Sequence, residues 1–186
     1  MDSKAKILEA ALLLFTKEGF HGTSTAKIAK EANVSNGTLF HHFKTKEALI
    51  NTLYLTEKAA YKAYIFSALP QFSPTKKYMK AMWMRFVQHD LEHRDRVIFS
   101  TLFSNSSYVD SLSKEHASRH FSFVVESIQA LIENEVIIDV HPTLLVNSFY
   151  ASILAIYRFL AENKIENEAA QKEIAFSMWW RSVINI

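Results

Sequence analysis

The 186-residue sequence contains no cysteine and only three glycines and three prolines. Without cysteine the chain has no disulfide, no thiolate metal site and no cysteine nucleophile. The glycines, Gly19, Gly22 and Gly37, all lie near the N-terminus, so the rest of the chain cannot build a phosphate-binding glycine loop. The hydrolase and metalloprotease motifs GxSxG and HExxH are also absent. The sequence therefore predicts a non-enzymatic protein that uses no cofactor.

Export signals are also lacking at the N-terminus. Residues Met1–Lys4 lead into an amphipathic segment interrupted by charge, not into the apolar core of a signal peptide, which predicts a cytoplasmic protein. Residues Leu144–Leu160 are apolar nearly all round, with Arg158 as their only charge. This run is short for a membrane span and contains Asn147, Ser148 and Ser152. We expect burial within the domain and against a second copy of the chain, with no membrane contact.

The composition of the sequence favours helices. Hydrophobic residues make up 49% of the chain, while glycine, proline and alternating β-branched residues are scarce. These features predict an all-α fold of about nine helices. The first is expected over about Lys4–Glu18, with Ser3 as its N-cap and Gly19 as its stop, and Ser73-Pro74 is expected to open the fifth.

The segment Gly19–Leu49 has the pattern of a helix-turn-helix. Ile28 and Ala29 lie on one face of a short helical run, and the small Ala29 suits a close helix crossing. Asn33 follows, a residue type that tolerates the left-handed backbone of a tight turn. Ser35 then has the position of an N-cap for a second short helix, Asn36–His42. A recognition helix enters the major groove of DNA by such an exposed N-terminal end.

The residues TSTAKIAKEANVSNGTLFHHFKTKEAL resemble the DNA-binding segment of the tetracycline-repressor (TetR) family of bacterial transcription regulators. The resemblance implies a three-helix DNA-binding domain over residues 1–47 and a larger effector-binding and dimerisation domain over residues 48–186. It also implies a homodimer on palindromic operator DNA, with recognition helices about 34–36 Å apart. The expected function is repression, relieved by a small hydrophobic or aromatic effector.

Positions in the matched motif imply the DNA contacts. Base edges are expected to be read from the third helix, with further contacts from the second helix, and other matched positions are expected to touch phosphates. The base-reading candidates are Asn36, Gly37, Thr38 and His41, with Thr25, Ala26 and Lys27 approaching from the second helix. The phosphate candidates are Thr25, Thr38, Phe40, His42 and Lys46, and the capping residue Ser35 completes the interface.

Two residues depart from the family pattern. Phe40 stands where the family frequently has tyrosine, so a hydroxyl that could bind phosphate is lost while the ring remains. Ala26 stands where some members carry a long polar side chain, which leaves only an apolar contact with a thymine methyl group.

Charge is distributed unevenly. Residues 1–50 carry seven lysines and five acidic residues, whereas the remaining residues carry 14 of each sign. All of the formal net charge of +2 therefore lies in the predicted DNA-binding part. Because this excess is small, we expect binding to depend on the dimer and on local placement of the lysines.

The second part of the chain is rich in large, adaptable apolar side chains. Most such residues pack in cores, but as a group in a regulator they also suit a cavity for a hydrophobic effector. The candidates are Trp83, Met84, Phe86, Phe99, Phe103, Phe121, Val125, Phe149, Ile153 and Tyr157. For the dimer interface, the resemblance points to the last two helices, with Tyr150, Leu154, Tyr157, Met178, Trp179 and Arg181.

Two alternatives stay open. The pairs His89/His93 and His116/His120 have HxxxH spacing, which puts two imidazoles on one helix face and allows a metal-responsive regulator. Ordinary surface histidines explain the pattern more simply, so no metal ligand is assigned. The other alternative is a regulator-fold coactivator that binds a protein partner instead of DNA.

Overall fold

The computed structural model describes residues 2–108 and 121–185. Within these residues the regular structure is helical, apart from an isolated antiparallel bridge between Ile137 and Ile184. The all-α prediction is confirmed. The described helices are α1 (Ser3–Gly22), α2 (Thr25–Glu31), α3 (Asn36–His42), α4 (Lys46–Phe66), α5 (Lys76–Glu92), α6 (Arg94–Ser104), α7 (Ser122–Glu133), α8 (Pro142–Glu162) and α9 (Glu168–Val183).

The described residues form two compact units. The first comprises residues 2–60 and 93–108, and therefore α1 to α3, most of α4, and α6. The second comprises residues 61–92 and 121–185, and therefore the end of α4, α5, and α7 to α9. The predicted DNA-binding segment 1–47 lies wholly in the first unit, which also contains α6.

Gly19 interrupts α1 where the sequence predicted a stop. Its backbone has a φ of +71°, in the left-handed region that favours glycine. The hydroxyl of the buried Thr23 lies within hydrogen-bond distance of the carbonyl oxygens of Leu14 (3.2 Å) and Gly19 (2.9 Å), either of which can accept its proton. The Thr23 side chain thus bonds to the backbone of α1 beside the interruption.

The second unit is built around α8, which packs against α5, α7 and α9. Two serines on α8 accept hydrogen bonds from buried indoles, Ser152 from Trp83 at 2.8 Å and Ser148 from Trp179 at 3.1 Å. Among the described helices, α8 is the one whose length and composition would allow it to cross a membrane. It contains an 18-residue apolar window with a mean hydropathy of 1.5. Core helices pass the same test, and 33% of that apolar window is buried inside the structure.

Two predicted helix starts were wrong. Ser73-Pro74 does not open α5: the helix begins at Lys76, and the Thr75 hydroxyl accepts a hydrogen bond from the backbone N–H of Tyr78 at 3.3 Å. Thr75 offers the capping oxygen three residues before a free N–H, which is the geometry that an N-cap requires. Ser3 is not the N-cap of α1 but its first residue, and Asp2 holds the cap position.

Candidate nucleic-acid interface

The turn between α2 and α3 has the backbone that the sequence predicted. Asn33 adopts a φ of 53°, and the backbone N–H of Val34 donates to the carbonyl of Ala29 at 2.9 Å. Ala29 and Leu39 are buried in the core of the first unit, together with Phe43. These contacts fix α3 on the surface of its unit with one face inward and one face outward.

Ser35 caps α3. Its hydroxyl oxygen accepts a hydrogen bond from the backbone N–H of Thr38 at 3.0 Å, and the Thr38 hydroxyl lies 2.9 Å from the same oxygen. The predicted cap is confirmed. Because the two hydroxyls contact each other, Ser35 and Thr38 are held in place before any ligand arrives.

The outward face of α3 presents mixed chemistry to solvent. Asn36, Gly37, Phe40 and His41 are exposed, and Thr38 is half-buried. Phe40 leaves 43% of its surface in contact with water. The exposed part of this ring is available for contact with another molecule.

His42 makes a contact that the sequence did not reveal. Its Nε2 lies 2.9 Å from the hydroxyl oxygen of Ser3, so the last turn of α3 is joined to the first turn of α1. The two residues are 39 positions apart, and no local pattern relates them. A serine at the start of a helix is usually interpreted as an N-cap, so a contact between Ser3 and His42 was not expected from the sequence.

The three predicted residues at the start of α2 differ in their availability. Ala26 and Lys27 are exposed, and Thr25 is half-buried. Ser24 caps the helix, because its hydroxyl oxygen accepts a hydrogen bond from the backbone N–H of Lys27 at 3.2 Å. The Lys27 ammonium lies 2.6 Å from a carboxylate oxygen of Glu18. Because exposed ion pairs are weak, a phosphate could replace this partner at small cost.

Lys46, at the first turn of α4, is half-buried. Its ammonium donates a hydrogen bond to the backbone carbonyl of Phe20, near the end of α1. A cation at the C-terminal end of a helix is favoured by the helix dipole. An ammonium has three donors, so this bond leaves others for a phosphate.

The positive charge of the first unit lies largely at its surface. Five further lysines of the first 50 residues are exposed, namely Lys4, Lys6, Lys17, Lys30 and Lys44. The sequence-based expectation that DNA binding depends on local placement of the lysines therefore has exposed cations to draw on.

Eight of the ten predicted effector residues fall into two separate cores. Phe99 and Phe103 belong to the core of the first unit, where Phe103 stacks on Tyr54 with ring centroids 3.9 Å apart. The core of the second unit, with its half-buried margin, brings together Trp83, Met84, Phe86, Phe121, Phe149 and Ile153. Of the other two, Tyr157 is buried in the same unit and Val125 is exposed at 42%.

The six predicted dimer residues also differ in exposure. Met178 is exposed at 68%, and Arg181 is exposed as well. Tyr150 and Leu154 are half-buried, whereas Tyr157 and Trp179 are buried within the second unit. Sequence reasoning overlooked three exposed apolar residues on α8 and α9, which are Leu144, Phe159 and Ile174.

The histidine pairs contribute no assembled metal site to the described part. Within residues 2–108 and 121–185, no group of three or more His, Cys, Asp or Glu side chains is placed to hold a metal ion. His89 is buried and stacks on Tyr61 with ring centroids 4.0 Å apart. The His116/His120 pair lies outside the described residues.

Comparison with known proteins gives concordant results for the N-terminal segment. Residues 7–53 match the family of bacterial regulatory proteins of the tetR type. The transcriptional regulator UidR of Escherichia coli K12 is 43% identical over 56 residues, which is 30% of this chain and 29% of UidR. The chain thus aligns with less than a third of the length of this relative.

Comparison of whole structures extends the similarity. A putative tetR family regulator from Shewanella sp. PV-4 has a TM-score of 0.89 and 29% identity, covering 99% of both chains. The structure of AibR, in complex with isovaleryl coenzyme A and operator DNA, has a TM-score of 0.79 and 18% identity, covering 95% of this chain and 97% of AibR. At that identity the AibR likeness establishes the fold alone.

Proposed function

Because this chain belongs to the TetR family of bacterial transcriptional regulators, which are not enzymes, we propose that it is a repressor that binds palindromic operator DNA as a homodimer. The observation that carries this proposal is the two-sided arrangement of α3. Leu39 is fully buried, whereas Asn36, Phe40 and His41 face solvent from a capped helix. A helix held this way can enter a major groove without unfolding any part of its unit.

Base recognition is assigned to Asn36, Gly37, Thr38 and His41. The Asn36 amide can both donate and accept, as an adenine edge requires, and Gly37 allows close approach of the backbone. Ala26 offers a methyl contact from α2. Positioning on the phosphates is assigned to Thr25, Ser35, Phe40, His42 and Lys46, with Lys27 available once it leaves Glu18.

A second copy of the chain is proposed to cover the exposed apolar residues of α8 and α9. Ala151, Ala155 and Phe159 follow one another at intervals of four along α8 and are all exposed. Ile174 and Met178 do the same on α9. The two small alanines permit close helix approach, so we place Phe159, Ile174 and Met178 at the centre of the interface, with Tyr150, Leu154, Arg181 and the edges of Tyr157 and Trp179 around it.

We further propose that a small lipophilic effector binds the second unit and releases the operator. Its aromatic core supplies the apolar surroundings that such a ligand needs, with Phe86, Phe121 and Phe149 at its centre. AibR was captured with an acyl coenzyme A and with operator DNA, which supports a dual-ligand role for this fold. A coupling free energy of about 1–3 kcal/mol between the two ligands suffices for regulation. Such a regulator acts in the cytoplasm.

Selection of bound fragments from a random DNA pool tests the proposal. We expect a palindromic consensus whose half-sites are one helical turn apart. Asn36→Ala should relax the preference at particular bases in fluorescence anisotropy, while Gln129→Ala, on the exposed surface of α7, should bind as the unmodified protein does. A pool that yields no enriched sequence at low salt would contradict the proposal and favour a protein-binding coactivator.

A further inference from the structure

The second unit contains a buried carboxylate that, within residues 2–108 and 121–185, pairs with a histidine but with no lysine or arginine. Asp90, on α5, is 8% exposed. Its Oδ1 accepts a hydrogen bond from the Tyr61 hydroxyl at 2.7 Å and lies 3.2 Å from Nδ1 of His89. Within the described part of the chain, no lysine or arginine pairs with it. Burying a carboxylate costs free energy unless donors satisfy its oxygens, and a carboxylate can accept more hydrogen bonds than the one that Tyr61 donates, so Asp90 can accept a further donor from a ligand.

Aromatic rings line the same region. The Tyr61 ring lies 5.3 Å from that of Phe86 and 5.6 Å from that of Phe121. The Tyr150 ring lies 5.5 Å from Phe86 and 6.3 Å from Phe121. These four rings, together with Asp90, form what we call the aromatic-acid cluster. Ring faces attract cations, and the attraction is stronger where water is excluded.

A hydroxyl in this cluster lacks a hydrogen-bond partner. The Tyr150 hydroxyl is buried and bonds to no group in the described structure. The pKa of the Tyr61 hydroxyl is raised well above its usual value, chiefly by burial, next by Asp90 and then by Tyr150. Tyr150 is therefore close enough to Tyr61 to act on it electrostatically. A buried hydroxyl without a partner is unfavourable, and a bound molecule that donates to it or accepts from it would remove that cost.

The cluster reaches the edge of its unit. Phe86 and Asp90 are buried, but Tyr61, Phe121 and Tyr150 are only half-buried. The three half-buried rings lie at the margin of the second-unit core, so a ligand would reach them before the buried Phe86 and Asp90.

We propose that the effector of this protein is a lipophilic amine, bound in its protonated form with the ammonium group between Asp90 and Tyr150 and its apolar part among the rings of the aromatic-acid cluster. This inference rests on the proposed effector-regulated function and names the ligand class. The ammonium would donate to the Asp90 carboxylate and to the Tyr150 oxygen, satisfying both. A carboxylate-bearing ligand would instead meet the like charge of Asp90, and a neutral alcohol would gain only hydrogen bonds.

Three probes with one ring system separate these possibilities: 2-naphthylmethylamine, 2-naphthylmethanol and 2-naphthoate. Isothermal titration calorimetry at pH 7, with the full chain and without DNA, measures each affinity. We expect the amine to bind at least about tenfold more tightly than the alcohol, with the naphthoate weakest. Because DNA is absent, this ranking is independent of whether operator binding is ever found.

Variants then locate the effect. Asp90→Asn keeps the shape and the acceptor for Tyr61 but removes the charge, so it should remove most of the advantage of the amine over the alcohol. Tyr150→Phe should weaken the amine and the alcohol alike. Tyr78→Phe, in the same unit but outside the cluster, is the matched control and should leave the ranking unchanged. Circular dichroism verifies that each variant is folded.

Naphthoate binding as tightly as the amine would overturn the proposal, as would folded protein that binds none of the probes at millimolar concentration. An amine advantage that persists in folded Asp90→Asn would also overturn it. If Asp90→Asn does not fold, the proposal is still tested by the relative affinities of the three probes for the unmodified protein and for Tyr150→Phe. Failure of operator release with a tightly bound amine would instead count against the proposed function.

Discussion

The hydroxyl oxygen of Ser152 on α8 accepts a hydrogen bond from the indole N–H of Trp83 on α5 across 2.8 Å. Trp83 is fully buried, so this serine satisfies a donor that water cannot reach. Ser148, one turn earlier, does the same for Trp179. These polar residues within the long, apolar helix α8 are thus part of how the second unit packs.

Ser152→Ala should therefore lower the free energy of unfolding by about 1–3 kcal/mol, because the Trp83 donor is left buried and unsatisfied. Urea denaturation followed by tryptophan fluorescence measures the change. Ser177→Ala on α9 is the matched control, since its half-buried hydroxyl has no hydrogen-bond partner in the described structure. Equal stability of the two variants would show that the Trp83 bond contributes nothing.

The turn before α3 should respond to backbone conformation. Asn33→Val should destabilise the protein by about 1–2 kcal/mol, because a β-branched residue is strained at the φ of 53° found there. Asn33→Gly is the control and should stay within about 0.5 kcal/mol of the unmodified chain. Thermal unfolding distinguishes the two, and a valine variant as stable as the glycine variant would refute the turn assignment.

Lys46→Ala should weaken binding to all DNA sequences and reduce the slope of log affinity against log salt by about 1. The same variant should lose some stability, because the Lys46 ammonium also donates to the Phe20 carbonyl. Lys17→Ala is the matched control: it removes one exposed charge from α1, outside the proposed DNA contacts, and should leave the slope unchanged. An unaltered slope for Lys46→Ala in an anisotropy salt titration would remove Lys46 from the phosphate contacts.

Met178→Glu should convert the proposed dimer to monomer and abolish high-affinity operator binding, since it buries a charge in an apolar interface. Sedimentation velocity reports the oligomeric state. Gln129→Glu adds the same charge on the exposed surface of α7 and should remain dimeric. Should Met178→Glu sediment as the unmodified protein does, the interface must lie elsewhere.

Stability should fall in alkaline solution. Burial raises the pKa of Tyr150 well above its usual value, and burial together with Asp90 does the same for Tyr61. The unfolded tyrosines ionise from about pH 10, where the folded ones still hold their protons. The contribution is therefore complete below about pH 10 and is lost as the pH rises towards the folded values.

Urea denaturation between about pH 8 and 11 tests this. Tyr150→Phe should flatten the alkaline decline and, by removing an unsatisfied hydroxyl, raise stability at pH 8 by about 1 kcal/mol. A decline as steep as that of the unmodified protein would mean that Tyr150 is not protected from ionisation.

Much of the first unit could be predicted because its signals are local. The Ser35 cap, the left-handed Asn33 and the break of the first helix at Gly19 each depend on a few neighbouring residues, and each is found in the structure, although α1 runs on to Gly22 after the break. Where two local signals compete, prediction failed. Ser73-Pro74 has the usual pattern of a helix start, yet Thr75 is the residue whose oxygen is placed to cap α5.

The candidate sites were harder to predict because apolar residues look alike in sequence. Phe99 and Phe86 are both fully buried aromatic residues, yet one belongs to the core of the first unit and the other to that of the second. Met178 and Trp179 are neighbours on α9, yet one is exposed and the other buried. Helical periodicity gives the relative directions of side chains but not which direction meets another helix.

The sequence by itself determined that the chain is helical, that it uses no cysteine chemistry and that it carries a helix-turn-helix, because composition, periodicity and capping act over a few residues. Only the tertiary structure decided that Ser3 meets His42, that Ser148 and Ser152 serve buried indoles, and that Asp90 lies among aromatic rings. These contacts join residues tens of positions apart. Their energies come from burial and from exclusion of water, which exist only once the helices have packed.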